Sequence, residues 1–488
     1  MVNIKKGLRC LLDLLNYVKQ DRYLAIIVIA IVAYIVFFSY YTIMKHYAFQ
    51  TTMFDLGIYD HMFWKLVRYG QPARTPTGLI HNSLMLYIIV IFYAIFPSPI
   101  TLLTLQSIII PLSAIPLYFL ANKLLNSVKL ATIVSALFLL YPPLHGLSQY
   151  DFHVEMFLPP LLFLSLYYLH TENWRTYMVT NVAILFVMEY ASFLVAMMGI
   201  YQIIIYRKDL KVSSKHGSMF GVTFSMPKGA SVGVIVVILA LVSLGLNVLA
   251  FNMCAAQSPF LGQQVFDVQN LGILLSMKLS YFGKLFGPLA FMPLLSPVSL
   301  IMTIPWLVKT AFTTEPEYLK IVNHYSAFAT PFIFLGLVST FRKIRSRKKL
   351  TVAVALVALS TAFFIIATDP ISANPWPQIN EREQLLNRLV QTIPADAAVL
   401  TQNNIAPHFT RREKIFMWPV GESDYAPKNY EEVEYILIDT IMHPNYPATV
   451  QGDDLYNATW IAVQQSLTTG KYEMLLEKDG IMLYKRVD

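Results

Sequence analysis

Asp151-Phe152-His153-Val154-Glu155 sets three polar side chains at alternate positions. In an extended chain they project to one side. In a helix Asp151 and Glu155 share a face at i, i+4. Two carboxylates and an imidazole suit Mn²⁺ or Mg²⁺ better than a structural zinc. The plainer reading is a polar cluster that ends a membrane span and meets water. Asp55, in Phe54-Asp55-Leu56-Gly57-Ile58-Tyr59-Asp60, stands between apolar neighbours, where a carboxylate keeps its charge only with a partner. It reads as a general base or metal ligand, or as the N-cap of the amphipathic segment behind it. Glu189 lies in the middle of the apolar-rich stretch 176–206. A carboxylate inside a membrane is a functional candidate by default, and a solvated hairpin turn is its bland alternative. His81, His324 and Tyr325 stand at the ends of apolar runs, where an interfacial role is the ordinary one. Lys278, Lys284, Lys309 and Lys320 are cations near the lipid surface, suited to hold a phosphate as point charges or simply to touch headgroups.

These residues are scarce against their background. The chain has 488 residues, 56% hydrophobic and 14% charged. An average soluble protein is roughly 25% charged, so a simple soluble enzyme and a disordered chain are both excluded. The two cysteines, Cys10 and Cys254, leave no disulfide scaffold or cysteine-rich metal site. Residues 1–368 hold 27 Lys/Arg and 12 Asp/Glu, whereas 369–488 hold 10 and 17. The first part reads as a polytopic membrane domain and the second as a water-facing domain. The basic excess sits in short loops beside apolar spans, which marks topology rather than a nucleic-acid partner.

A helix needs about 20 apolar residues to cross the hydrocarbon core. Spans are expected at 23–43, 98–121, 130–148, 156–170, 230–251, 326–341 and 351–368. The stretch 176–206 is basic at both ends, so parity makes it a hairpin of two short helices turning near Met188-Glu189-Tyr190. A second hairpin is expected at 284–295 and 298–312, turning at Ser296-Pro297. The stretch 82–96 is read as interfacial or re-entrant. The total is about 11 spans, with the N-terminus cytoplasmic and the C-terminal domain extracytoplasmic at the cell membrane. Eight of the twelve acids then fall outside, five of them from three separate segments: Asp55, Asp60, Asp151, Glu155 and Glu189. That is the form of a site assembled between helices. In the tail, 369–380 reads as a linker and 381–391 as a short helix. Strands are expected at 398–401, 414–418, 435–439, 472–477 and 480–486, with a helix at 454–469. Asn457-Ala458-Thr459 is a glycosylation sequon.

The motifs together resemble an uncharacterised prokaryotic family of multi-span membrane proteins related to GT-C glycosyltransferases. The resemblance runs over most of the chain. It is carried by the segment 54–60, His81 before an apolar helix, Phe96-Pro97-Ser98-Pro99, the segment 151–155, Glu189, Pro293-Leu294-Leu295-Ser296-Pro297 and His324-Tyr325-Ser326. In the tail Asn403-Asn404, Pro407-His408 and Asp479-Gly480-Ile481 also fit. Val154 stands where the family usually has Pro. The resemblance implies a GT-C-like helical membrane fold with a small C-terminal α/β domain. It implies a polyprenyl-phosphate-linked sugar donor, an acceptor bound at the outer face, and Asp55 as catalytic base. Asp151, His153, Glu155, Glu189 and Asp60 form the second acidic site, with Mn or Mg at Asp151, His153 and Glu155. Two other classes stay open: a transporter or flippase for a lipid-linked or small polar substrate, and a non-catalytic scaffold.

Overall fold

The computed structural model describes residues 21–71, 83–207, 211–214, 222–225, 227–253, 268–373, 376–418, 425, 432–441, 464, 467–468 and 470–487. His81, Asp267, the sequon at Asn457 and almost all of the helix expected at 454–469 lie outside the described residues.

Four described helices are long and apolar enough to cross a membrane: Arg22–Tyr47, Pro99–Leu125, Lys228–Ala250 and Arg347–Thr368. Val128–Leu139 and Pro142–Gln149 make a fifth if taken together, bent by 49°. The bend falls where Pro142 and Pro143 interrupt the backbone ladder. Shorter apolar helices cover Val154–His170, Ala191–Tyr206 and Pro297–Phe312. The stretch 176–206, expected as a hairpin, is broken into helices Trp174–Leu185 and Ala191–Tyr206, with Glu189 in the break between them. The expected helix at 284–295 is not. Leu275–Phe286 ends there and gives way to 3-10 turns at Gly287–Leu289 and Met292–Leu295. Pro288 and Pro293 lack the amide hydrogen that a continuing helix needs. The segment 82–96 forms only the nine-residue helix Met85–Tyr93, too short to span.

The first helix shows how one apolar sequence serves two surroundings. Leu24, Ile27, Ile31 and Phe38 are buried against neighbouring helices, while Ile29, Val32 and Val36 are exposed on the other side. Asp21 caps its start by accepting from the amides of Tyr23 and Leu24. Asp21 also accepts from the Tyr118 hydroxyl at 2.8 Å, which joins the start of Arg22–Tyr47 to the far end of Pro99–Leu125. At the opposite end of the first helix, Lys45 donates to Asp151 at 3.1 Å. His145 and Asp369 meet at 2.5 Å, with the His145 ring against Tyr34 and Phe38 in the middle of the first helix. Asp151 and the segment carrying Asp55, with the C-terminal domain seated on it, gather at the Lys45 end.

The C-terminal domain holds helix Glu381–Thr392, started by a capping box between Asn380 and Glu383. Its five-stranded sheet comprises β3 (Val399–Gln402), β4 (Ile415–Trp418), β5 (Tyr435–Asp439), β6 (Tyr472–Lys478) and β7 (Ile481–Arg486), in the order β4-β3-β5-β7-β6. β3 runs parallel to β4 and β5, and β7 is antiparallel to β5 and β6. A two-stranded ladder, β1 (Lys211–Ser214) with β2 (Val222–Ser225), lies in the basic loop 207–228. The domain's core is not its own alone. Phe49 and Met53 from the loop after the first helix pack with Leu386, Ile405, Phe409 and Met417. The Met53 amide donates to Asn403 Oδ1 at 2.8 Å. The domain is thereby seated on the segment that carries Asp55.

Candidate active site

The site begins with a backbone irregularity. Met53–Gly57 winds as a π-helix before the α-helix Ile58–Tyr69. The Gly57 amide reaches back to Thr52 O at 3.1 Å. Such turns rotate side chains away from α-helical phase and occur often at functional sites. Asp55 lies within this turn, whereas Asp60 lies on the helix that follows.

Asp55 Oδ1 lies 3.2 Å from His153 Nε2. The Tyr150 hydroxyl donates to Asp55 Oδ2 at 3.0 Å. The Asp55 side chain is 24% exposed, so the carboxylate is held on two sides and open on a third. Burial alone would raise its carboxyl. The imidazole of His153, with smaller help from His324 and Tyr150, outweighs burial and holds it below the usual carboxylate range. For His153 burial pushes the other way, and Asp55 and Glu155 overcome it, lifting the ring to about 9.

His153 is itself fixed at several points. Its amide donates to Gln106 Oε1 at 2.9 Å, and its Nδ1 lies 3.2 Å from Asp151 O. Gln106, buried on helix Pro99–Leu112, also donates from Nε2 to Tyr150 O at 2.8 Å. One neutral amide therefore sets the backbone on both sides of Asp151. The His153 ring stacks on His324, with centroids 3.7 Å apart and planes at 14°. His324 Nε2 in turn lies 3.3 Å from Glu155 Oε1. Burial and the neighbouring charge of His153 push His324 below its ordinary value despite Glu155. The result is a ladder of acid, imidazole, imidazole and acid, with one proton favoured on the ring beside Asp55.

Gly146 makes the stacking feasible. A Cβ there would collide with the Ile321 carbonyl, so only glycine lets the loop before His324 lie against helix Pro142–Gln149. Ser326 secures the same contact by donating to Pro143 O at 2.7 Å. Tyr325 packs beside His324 with centroids 4.0 Å apart. Tyr59 gives the clearest sign of convergence. Burial first, then the charges of Glu155, Asp55 and Glu189, push its hydroxyl well above the ordinary range. Three carboxylates from three segments thus act on one phenol.

The expected residues divide accordingly. Asp55, His153, Glu155, His324 and Tyr325 come together, and Glu189 is near enough to act on Tyr59. Asp60 does not join them. It is buried on helix Ile58–Tyr69, accepting from Tyr93 at 2.7 Å and from the Thr410 hydroxyl. It pins the first-loop helix to the C-terminal domain. Asp151, His153 and Glu155 do not gather as a ligand set for Mn or Mg. The chain is extended at His153 and turns into a 3-10 helix at Val154, so strict alternation is lost. Asp151 swings to Lys45 and to the Thr52 amide at 2.7 Å, and Glu155 turns to His324. Among the described residues no group of three or more His, Cys, Asp or Glu is placed to hold an ion.

The four lysines differ too. Lys278 donates to Asn270 O at 2.6 Å, and Lys320 pairs with Glu317 at 2.5 Å. Lys284 sits half-buried on helix Leu275–Phe286. Lys309 is buried with its ammonium 4.3 Å from the Tyr318 ring centroid, and Tyr318 packs on Tyr325 at 4.7 Å. Lys309 is thus joined through two tyrosine rings to His324. Sequence reading missed Lys45, Tyr59, Gln106 and Tyr150. Tyr150, adjacent to Asp151, was the one with a visible signal.

The sequence matches the model of a family described as "Predicted membrane protein (DUF2079)" over residues 45–483. No curated protein matches it. Among solved structures it is similar to ArnT from Cupriavidus metallidurans bound to undecaprenyl phosphate, with a TM-score of 0.54 and 12% identity over 94% of this chain and 98% of that one. The apo state of the same protein gives 0.50 and 11%, over 93% and 98%. At such identities the likeness is one of fold, and the fold is GT-C-like.

Proposed function

This chain belongs to the DUF2079 family of predicted membrane proteins, and we propose that it is a GT-C-type glycosyltransferase. The sugar passes from a polyprenyl-phosphate-linked donor to an acceptor hydroxyl at the extracytoplasmic face. The observation that carries this reading is the Asp55 carboxylate, braced by His153 and Tyr150 and open on its third side. The fold likeness to a protein bound to undecaprenyl phosphate supports the donor class.

The chemistry is a single displacement. The acceptor oxygen forms a bond to the sugar's anomeric carbon as the bond from that carbon to the phosphate oxygen breaks. The electron pair leaves with the polyprenyl phosphate, and the acceptor proton goes to Asp55. An Asp held low by a cation is ionised at neutral pH, and it accepts the proton late, when the attacking hydroxyl has become acidic. His153 keeps the base ionised and oriented, and Glu155 and His324 hold His153 from its other face. Lys309 is our candidate for the departing phosphate, and the C-terminal domain for the acceptor. The dispersed ligands at 151–155 give no place to route a step through a metal.

The test is release of undecaprenyl phosphate from a panel of undecaprenyl-phosphate sugars by membranes containing the protein. Asp55→Asn should cut release about a thousandfold, the middle of the range for loss of a general base, without loss of folded protein. Release at the wild-type rate would remove Asp55 from the role. Absence of release from every donor, with flux of the same lipids in proteoliposomes, would favour the transporter reading.

A further inference from the structure

A second cleft, of about 720 Å³, lies where the first-loop helix meets the C-terminal domain. Trp64, Val67 and Arg68 line it from the helix, Pro97 from the membrane side, and His408, Phe409, Arg411 and Arg412 from the domain. Its volume falls within the range of small-molecule sites, roughly 300–1,000 Å³.

The permanently charged groups lining it are all guanidiniums. The carboxylates close by have hydrogen-bond partners of their own, though Asp60 still feels the Arg411 charge and Arg412 feels Asp396 and Glu434. Asp60 accepts from Tyr93 and Thr410, and Glu413 accepts from the Tyr69 hydroxyl at 2.7 Å. Among the described residues none of the three arginines has a carboxylate within ion-pair distance. His61, buried on the same helix, faces Thr410 O at 2.6 Å, and His408 faces His46 O at 3.1 Å. Neither supplies negative charge.

The three arginines have different tasks. Arg412 is buried and donates to the carbonyls of Phe409, Pro394 and Ala397, so it is part of the frame and a fixed positive charge. Arg411 and Arg68 are exposed. Arg411 is tethered by one donation, Nη1 to Pro97 O at 3.0 Å. A guanidinium has five N–H donors, so most of that fork faces the cleft and solvent. Paired forks match the oxygens of a phosphate better than they match any neutral ligand. The lip beyond Pro97 is apolar. Ile95 and Phe96 are 64% and 72% exposed, as expected of side chains lying in lipid. Arg68 also meets the Tyr69 hydroxyl. The cleft therefore sets two exposed guanidiniums, each tethered at one point, just above an apolar edge, with Trp64 as a flat wall.

We propose that this cleft binds a phosphate ester, held by Arg68 and Arg411, with its carbon skeleton against Trp64 and Phe409. The apolar lip favours a phosphate carried on a lipid. The site does not depend on the sugar-transfer reading, because binding is measured without transfer.

The test uses the full chain in detergent micelles and calorimetric titration. The probes are dioctanoyl phosphatidic acid, dioctanoyl phosphatidylcholine and inorganic phosphate. Phosphatidic acid should bind more tightly than phosphatidylcholine, and Arg68→Gln with Arg411→Gln should weaken it at least about tenfold, as expected for loss of charge-assisted hydrogen bonds. Arg347→Gln with Lys348→Gln removes the same charge from another exposed segment and should leave binding unchanged. If the double variant misfolds, Arg68→Gln alone, at an exposed position, should still weaken binding about threefold. Competition by inorganic phosphate at equal strength assigns a soluble ester, and failure to compete assigns the lipid-borne one. Equal affinity in the arginine and control variants, or no preference for phosphatidic acid together with no binding of phosphate, overturns the proposal.

Discussion

Two stacked histidine pairs lie on the same face of this molecule. His153 on His324 has ring centroids 3.7 Å apart at 14°, and His46 on His408 has 4.1 Å at 16°. The geometry is nearly the same and the surroundings are not. The first pair has a carboxylate at each outer edge, Asp55 and Glu155. The second has the Thr51 hydroxyl at 3.0 Å, the His46 carbonyl and the Phe49 ring. Burial disfavours the imidazolium in both. Acid partners reverse that at His153 and lift it to about 9. At His408 burial dominates, the hydrogen bond to His46 O only partly opposes it, and the Arg411 charge adds to it, giving about 3. Stacking therefore does not decide what a histidine pair is for. The edge partners do, making the first pair a charged site and the second a neutral joint between the domain and the first helix.

The sharpest way to break this contrast is to remove the charged ring. His153→Gln keeps a polar group near Asp55 and loses the cation. Release of undecaprenyl phosphate should fall about a hundredfold, the scale of one lost electrostatic contact in an active site. The pH profile tests the cause. A raised folded value means the Asp55–His153 pairing is complete below the ordinary histidine value and is lost as pH rises through about 9. Asp55, held low, keeps its charge until pH falls below the ordinary carboxylate range. Wild-type rate should hold through neutral pH and decline through about 9, and the glutamine variant should lack that decline. A variant with the same alkaline limb as wild type would place the titrating group elsewhere.

Much of this arrangement was legible in the chain, for a physical reason. Carboxylates are rare in the first 368 residues and expensive near lipid, so Asp55, Glu155 and Glu189 stand out individually. Basic loops on both sides of 176–206 required a break, and the break falls at Glu189. The strands of the small domain are short, mostly apolar runs between turns, and all five lie where expected. What failed was phase and partnership. Asp55 and Asp60 look equivalent in composition, but five residues put them about 140° apart at 3.6 residues per turn, and their partners are not local. The alternation of 151–155 suggested one ligand set, and the turn at Val154 dispersed it. Gln106 reaches the ladder from 47 positions away in an apolar helix, and no local pattern marks a neutral amide as a keystone. Lys45 stands just past the expected span 23–43, and nothing local pairs it with Asp151, 106 positions away.

Asp60 extends the comparison to two carboxylates in one segment. It accepts from Tyr93 and Thr410, and burial raises its carboxyl to about 6 against the pull of those hydrogen bonds. Asp60→Asn replaces one acceptor oxygen by a donor facing hydroxyls already committed to it. The cost should be about 1–3 kcal/mol of stability, the usual range for a buried partner left unsatisfied. Undecaprenyl phosphate release, corrected for folded protein, should stay within about threefold of wild type, because Asp60 shares no hydrogen bond with the ladder. Faster proteolysis between the first loop and the C-terminal domain is the readout. A large loss of turnover with normal protease resistance would move Asp60 into the site.

The smallest effect belongs to the neutral pair. His408→Phe preserves a flat ring against His46 and Phe49 and removes the hydrogen bond to His46 O. The cost at pH 7 should be only about 1 kcal/mol, one ordinary hydrogen bond against retained stacking. Its pH dependence carries more information. The native His408 ring stays neutral down to about 3, whereas the unfolded chain takes a proton near the ordinary histidine value. The unfolded state thus binds more protons in that interval, so stability declines as pH falls from about 6.5 toward 3. Phenylalanine takes no proton in either state, so the variant should lose stability less steeply over the same window, and the two stability curves should cross about one pH unit below the ordinary histidine value, at about 1.4 kcal/mol per unit. Parallel curves would mean that His408 is solvated or charged in the native protein. The two stacked pairs would then differ in degree rather than in kind.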